Sequence, residues 1–195
     1  MAYRYEITFD YRCPFARNAN LAVVEAVRRG RGHEVGFRPF SLDQAHVAEG
    51  EPAIWERPPG ERGRGTRALL YALAVRDHFP EHFLDWHAGA FVARHTEARD
   101  LSDDAVLRDV AASAGLDPDA VAAVADDPAT VAQLASEHVE AVKRWDVFGV
   151  PTLIVGDEAV FVRLMEPGRV DDLERALDLV PWTRFNEFKR THIPN

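Results

Sequence analysis

The chain has 195 residues, 47% of them hydrophobic and 28% charged, which suits one globular unit with a sizeable core. Its formal net charge of −9 argues against a nucleic-acid partner or an anionic membrane surface. A single cysteine excludes any intramolecular disulfide.

No stretch approaches the ~20 apolar residues of a membrane span. Glu6 and Asp10 interrupt any apolar leader after Met1. The expected compartment is therefore the cytoplasm.

Tyr3 to Phe9 is β-prone and alternates, which predicts a strand. Pro14 to Arg29 has Leu21, Val24 and Val27 at helical spacing, and Gly30 and Gly32 end the helix. Glu34 to Arg38 is a short second strand. A right-handed crossover through the helix would make the two strands parallel. Ser41 to Gly65 carries Pro52, Pro58, Pro59, Gly60 and Gly63 and reads as a long loop, with a turn near Trp55. Its basic part, Arg57 to Arg67, fits either a solvated loop or a cradle for an anion.

Five helices are predicted next, over 66–79, 81–98, 103–114, 117–126 and 128–145. Ser102 is the expected cap of the third, and Gly115 its terminator. Thr152 to Val155 and Ala159 to Val162 make a hairpin around Gly156-Asp157. Val170 to Leu179 is a closing helix. The tail from Trp182 to Asn195, with Arg184, Phe185, Phe188, Lys189 and Arg190, is expected to form a helical hook on the body or on a second subunit. The pattern is α/β. Residues 1–40 and 146–195 form two halves of one sheet domain, 41–65 the loop, and 66–145 an all-helical insertion.

Chemistry concentrates at Asp10-Tyr11-Arg12-Cys13-Pro14-Phe15-Ala16, where the first strand gives way to the first helix. A cysteine at a helix mouth meets unpaired N–H groups and the positive end of the dipole, and both favour a thiolate. Pro14 suits the first helical turn. Cys13 is therefore the candidate nucleophile, expected to be partly exposed with a pKa below the free value of about 8.5. Arg12 would favour the thiolate and Asp10 would oppose it, unless both point to solvent. Phe15 fits either an apolar substrate contact or a core position. Far along the chain, Gly149-Val150-Pro151-Thr152 precedes the third strand, where a proline suits a tight turn and is compatible with a cis bond.

In this order, strand, Cys-Pro helix, helical insertion, Gly-Val-Pro-Thr and hairpin, the chain resembles the DsbA-like branch of the thioredoxin superfamily over nearly its whole length. The resemblance implies a thioredoxin-like fold with an inserted helical domain and a thiol–disulfide oxidoreductase centred on Cys13. It also implies a cis Val150-Pro151 bond in contact with Cys13, and a substrate or thiol site at Arg12, Pro14, Phe15, Ala16, Val150 and Pro151, where the Val150 backbone pairs with the bound molecule. One departure matters. The family's Cys-x-x-Cys has Ala16 in its second position here, so the site is monothiol and an external thiol must complete the cycle. The chain also looks similar to proteins related to the mycothiol-dependent nitroreductases. The implied co-substrate is a low-molecular-weight thiol, mycothiol or glutathione, with a small electrophile or a protein disulfide as the other partner. No bound cofactor is implied, and a homodimer is compatible.

Two other readings stay open. Kappa-class glutathione transferases and hydroxychromene-carboxylate isomerases share the inserted helical domain but carry Ser where Cys13 stands. A binding or scaffold protein with a vestigial site also fits the loss of the second cysteine. Metal binding finds little support. His78 and His82 are spaced i,i+4, but Pro80 between them spoils a shared helical face. Gly60 to Gly65 lacks the Lys-Ser/Thr ending of a phosphate-binding loop.

Overall fold

The computed structural model describes residues 2–187, 189 and 190. Four strands form one sheet in the order β2-β1-β3-β4. Strand β1 (Tyr3–Phe9) is central and buries Tyr5, Ile7 and Phe9. It pairs in parallel with β2 (His33–Pro39), with Tyr3 opposite His33 and Phe9 opposite Pro39. On its other side it pairs antiparallel with β3 (Thr152–Val155), which forms a hairpin with β4 (Glu158–Phe161). Strand β4 thus lies one residue earlier than the sequence predicts.

Helix α1 (Pro14–Arg28) is the crossover between β1 and β2. Its small buried residues Ala16, Ala19, Ala22 and Ala26 let it approach the sheet closely, and it packs against α4 (Phe83–His95) and α8 (Val170–Leu179). Between β2 and β3 the chain is helical after the loop, as expected. Helix α3 (Thr66–His78) buries every residue from Ala68 to Val75. Such an all-round apolar helix belongs at the centre of a layer. It is surrounded by α4, α5 (Asp104–Ser113), α6 (Pro118–Ala125) and α7 (Pro128–Trp145).

The sequence expectations need four further adjustments. Asp103, not Ser102, caps α5 by accepting the Ala105 N–H at 2.9 Å, and Ser102 instead donates to Asp100. A carboxylate one residue nearer the helix outcompetes the hydroxyl for the free N–H. Helix α4 is shorter than 81–98, because Pro80 opens a separate 3-10 turn over Pro80–His82 and the amides of Thr96 and Glu97 both turn back to Val92 O. The 41–65 loop has the expected turn near Trp55, a 3-10 turn at Ile54–Glu56, but also holds a short helix α2 (Leu42–Ala45), capped by Ser41, and a second 3-10 turn at Pro59–Glu61. The tail forms no helix over 182–187, where Trp182 and Phe185 stack with centroids 5.0 Å apart. Phe188 and residues 191–195 of the expected hook lie outside the described residues. Among those described, no helix is long and apolar enough to cross a membrane.

Candidate active site around Cys13

Strand β1 ends in a tight turn that delivers Cys13 to the mouth of α1. The Cys13 N–H donates to Asp10 O at 3.1 Å, and Cys13 is the N-cap residue with Pro14 in the first turn. Its side chain takes the role that Ser or Asp usually plays, since Sγ accepts the Ala16 N–H at 3.4 Å. On its other side the thiol donates to Val150 O at 3.3 Å. The sulfur therefore sits between a helix-terminal donor and a backbone acceptor, and it is partly exposed.

The Val150 carbonyl is held by its surroundings. The Val150-Pro151 bond is cis. The Thr152 N–H donates to Thr8 Oγ1 of β1 at 2.8 Å, and the Thr152 hydroxyl donates to Gly149 O at 2.8 Å. Pro151 O accepts the Val162 N–H at 3.1 Å. Segments 137 positions apart in sequence meet here because β1 and β3 are neighbours in the sheet.

Of the other expected site residues, Pro14 is exposed, Phe15 is half-buried, and Ala16, Val150 and Pro151 are buried. Arg12 directs its guanidinium to Asp43, at 2.7 Å, with Nε 3.6 Å from Asp10. The latter is an ionic contact too long for a hydrogen bond. Asp10 does not point to solvent. It is fully buried and accepts the N–H groups of Arg12 and Leu42, each at 2.9 Å. Burial pushes its carboxyl above the ordinary carboxylate range, against the pull of Arg12 and these two amides. Asp43 also accepts the Gly65 N–H at 2.8 Å, so Asp10, Arg12 and Asp43 tie the Cys13 turn to the glycine-rich loop.

Three of the four arginines from Arg57 to Arg67 turn back onto the protein, and Arg64 is exposed. Arg57 donates to Pro52 O, Arg62 to Arg57 O, and Arg67 pairs with Asp104 and Asp126. Behind the turn lies a buried polar chain. Tyr11 OH meets His87 Nδ1 at 2.7 Å, and His87 Nε2 meets Asn20 Oδ1 at 3.1 Å. Because Asn20 Oδ1 can only accept, His87 is a neutral ring that donates from Nε2 and accepts from Tyr11. Burial lowers its pKa to about 3. His95 donates to Tyr11 O at 2.8 Å, and burial lowers its pKa as well.

Beyond Phe15, the sequence did not single out the aromatic rim. Phe148, 72% exposed, packs against Phe161 at 5.2 Å, and Arg163 lies over both Phe15 and Phe161. Only the adjacency of Phe148 to Gly-Val-Pro-Thr hinted at it. A hollow of about 700 Å³ opens between sheet and helices, but Val35, Gly36, Phe37, Arg76 and Glu137 line it. It follows the free edge of β2 rather than Cys13.

Comparison with known proteins bears on the fold that carries this site. An uncharacterized protein of Mycobacterium tuberculosis is 27% identical over 153 residues, which is 78% of this chain. The chain spans 64% of that protein's length. Among solved structures, the cytosolic disulfide reductase DsbM from Pseudomonas aeruginosa, determined with GSH, matches at a TM-score of 0.62 and 16% identity, over 94% of this chain and all of that one. A hydroxychromene-carboxylate isomerase gives 0.65 and 16%, over 93% and 98% of the two chains. A thioredoxin-like oxidoreductase from Silicibacter pomeroyi gives 0.60 and 18%, over 90% and 86%. At such identities the likeness is one of fold, and that fold is thioredoxin-like. The model of the DSBA-like thioredoxin domain matches residues 6–178, and the chain belongs to that family.

Proposed function

We propose that the protein is a monothiol thiol–disulfide oxidoreductase in which Cys13 is the sole nucleophile and an external low-molecular-weight thiol completes the cycle. The observation that carries this reading is the position of Sγ, 3.4 Å from the Ala16 amide and 3.3 Å from the Val150 carbonyl. Once its proton has left, the sulfur keeps the amide as a partner. The Val150 carbonyl is then free to accept a hydrogen bond from an incoming molecule. The Cys13 thiolate attacks one sulfur of a disulfide R–S–S–R, forms Cys13–S–S–R and expels RS⁻. An external thiolate R′S⁻ then attacks the R sulfur, forms R–S–S–R′ and regenerates the Cys13 thiolate. Mycothiol and glutathione are the candidate thiols. A reducing compartment, the cytoplasm, suits a site that cannot store an internal disulfide. The isomerase- and transferase-type readings rest on fold alone.

The test is intact-mass analysis after incubation with glutathione disulfide or mycothiol disulfide. One adduct per chain should form, disappear on addition of the matching thiol, and never form on Cys13→Ser. Absence of an adduct from both disulfides would move the scaffold reading ahead.

A further inference from the structure

Arg163 follows β4, and its backbone is tied on both sides. The Val162 N–H donates to Pro151 O at 3.1 Å, and Leu164 O accepts Asn18 Nδ2 of α1 at 2.8 Å. The segment is thus stretched between the Val150-Pro151 turn and the helix that carries Cys13, and its side chain lies over the rim. The guanidinium carbon is 5.2 Å from the Phe15 centroid and 5.4 Å from that of Phe161. Phe15 lies two positions beyond Cys13, and Phe161 stands opposite Thr152 in the hairpin. Arg163 therefore bridges the two chain segments that bracket the sulfur.

Its charge is uncompensated. In a chain of net charge −9 most arginines, such as Arg4, Arg28, Arg31, Arg38, Arg108 and Arg144, have carboxylate partners. Arg17, Arg57, Arg62, Arg64 and Arg94 have none among the described residues, but none of them lies over rings of both segments that bracket Cys13, so what sets Arg163 apart is a free charge held on those two segments. Among the described residues no carboxylate pairs with Arg163, although it is exposed. A guanidinium lying over aromatic rings keeps the N–H donors in its plane free at the edges, where they match the two oxygens of a carboxylate.

We infer that Arg163 determines specificity at the Cys13 site, and that the low-molecular-weight molecule that forms a mixed disulfide with Cys13 carries a carboxylate which Arg163 receives. This rests on the monothiol reading above. It separates the two candidate thiols, because glutathione bears carboxylates and mycothiol, built on sugars, does not.

Two measurements decide it. In the first, wild type, Arg163→Ala and Arg163→Lys react with dithiobis(nitrobenzoate), whose disulfide is flanked by carboxylates, and with uncharged dithiodipyridine. The released chromophore gives each rate. The anionic-to-neutral rate ratio should fall about tenfold in Arg163→Ala, the scale of one charge-assisted hydrogen bond. Arg163→Lys should fall between, as a point charge without the planar fork. Added salt should lower the ratio in wild type and leave it flat in Arg163→Ala. An unchanged ratio, or equal slowing of both probes, overturns the inference, the latter because Arg163 would then merely hold Phe15. The second measurement needs no reactive sulfur. Calorimetry compares S-methylglutathione with its dimethyl ester on Cys13→Ser, with and without Arg163→Ala. The free acid should bind more tightly, and the difference should vanish without Arg163. Equal binding overturns the inference even if the disulfide chemistry succeeds. If neither disulfide reacts, the monothiol reading falls while the calorimetry still judges Arg163.

Discussion

Ala16 is fully buried one helical turn from Cys13, with its amide on the sulfur. Restoring a thiol there should turn the site into a dithiol. Residues at i and i+3 on a helix share a face. Overpacking by one sulfur costs at most about 1–3 kcal/mol, so the fold should persist. Thiol titration of Ala16→Cys should give two equivalents when reduced and none after mild oxidation, and insulin reduction with dithiothreitol should exceed that of the parent. A folded variant that keeps both thiols under oxidant would contradict the arrangement. The buried histidines give a second prediction at this scale. Burial lowers His87 to about 3 and His138 to about 4, and lowers His95 too, whereas an unfolded imidazole titrates near 6.5. Below about pH 6.5 the unfolded state therefore holds more protons, and stability falls as the pH drops toward the folded values. Urea midpoints should rise from about pH 4.5 to 6.5 and flatten above. His87→Phe should remove up to about 1.4 kcal/mol per pH unit from that slope, whatever it does to absolute stability. An unaltered slope would mean that His87 titrates normally.

Loops, more than helices or strands, decide how the Cys13 turn is held. Gly63 has φ +90°, and a Cβ there would overlap the Asp43 carboxyl carbon; one on Gly65 would stand 2.8 Å from Arg12 Nε. The glycines let the loop press onto the Arg12–Asp43 pair. Gly63→Ala should cost about 1–2 kcal/mol from backbone strain alone and should also push Asp43 aside. Denaturant melts would show the loss, and the Gly60→Ala control, where a Cβ meets open space, should lose much less. Equal losses at the two positions would mean that the close approach is unimportant. The same loops explain what the sequence did and did not disclose. Strands β1 and β3 and helices α1, α7 and α8 were legible because period and punctuation agree in them: Pro14, Pro128 and Gly156 stand where elements begin or turn. Cys13 and Val150-Pro151 were legible as motifs. Arg12 was legible by its charge but not by its direction, since Asp43 lies 31 positions away and only the fold brings the two together. Arg163, Phe161 and Asn18 carry no local signal at all. Their roles come from tertiary contact across the hairpin and α1.

At the scale of the molecule, one apolar core runs from Ile7 and Leu153 of the sheet through Trp86, Leu107 and Leu134 of the helices. The site depends on that continuity, because its two halves come from opposite ends of the chain. A ribosome releases Cys13 early, and the Val150 carbonyl becomes available only after the five helices have been made. For all that time the thiol is unsheltered, yet with no second cysteine in the sequence it has nothing within the chain to pair with wrongly. Folding is thereby uncoupled from the oxidant supply that sets the pace for chains bearing several cysteines. Refolding from denaturant at low protein concentration should reach the same yield and rate with and without reductant. A reductant-dependent yield would show that chains cross-link through Cys13 before the sheet closes over it.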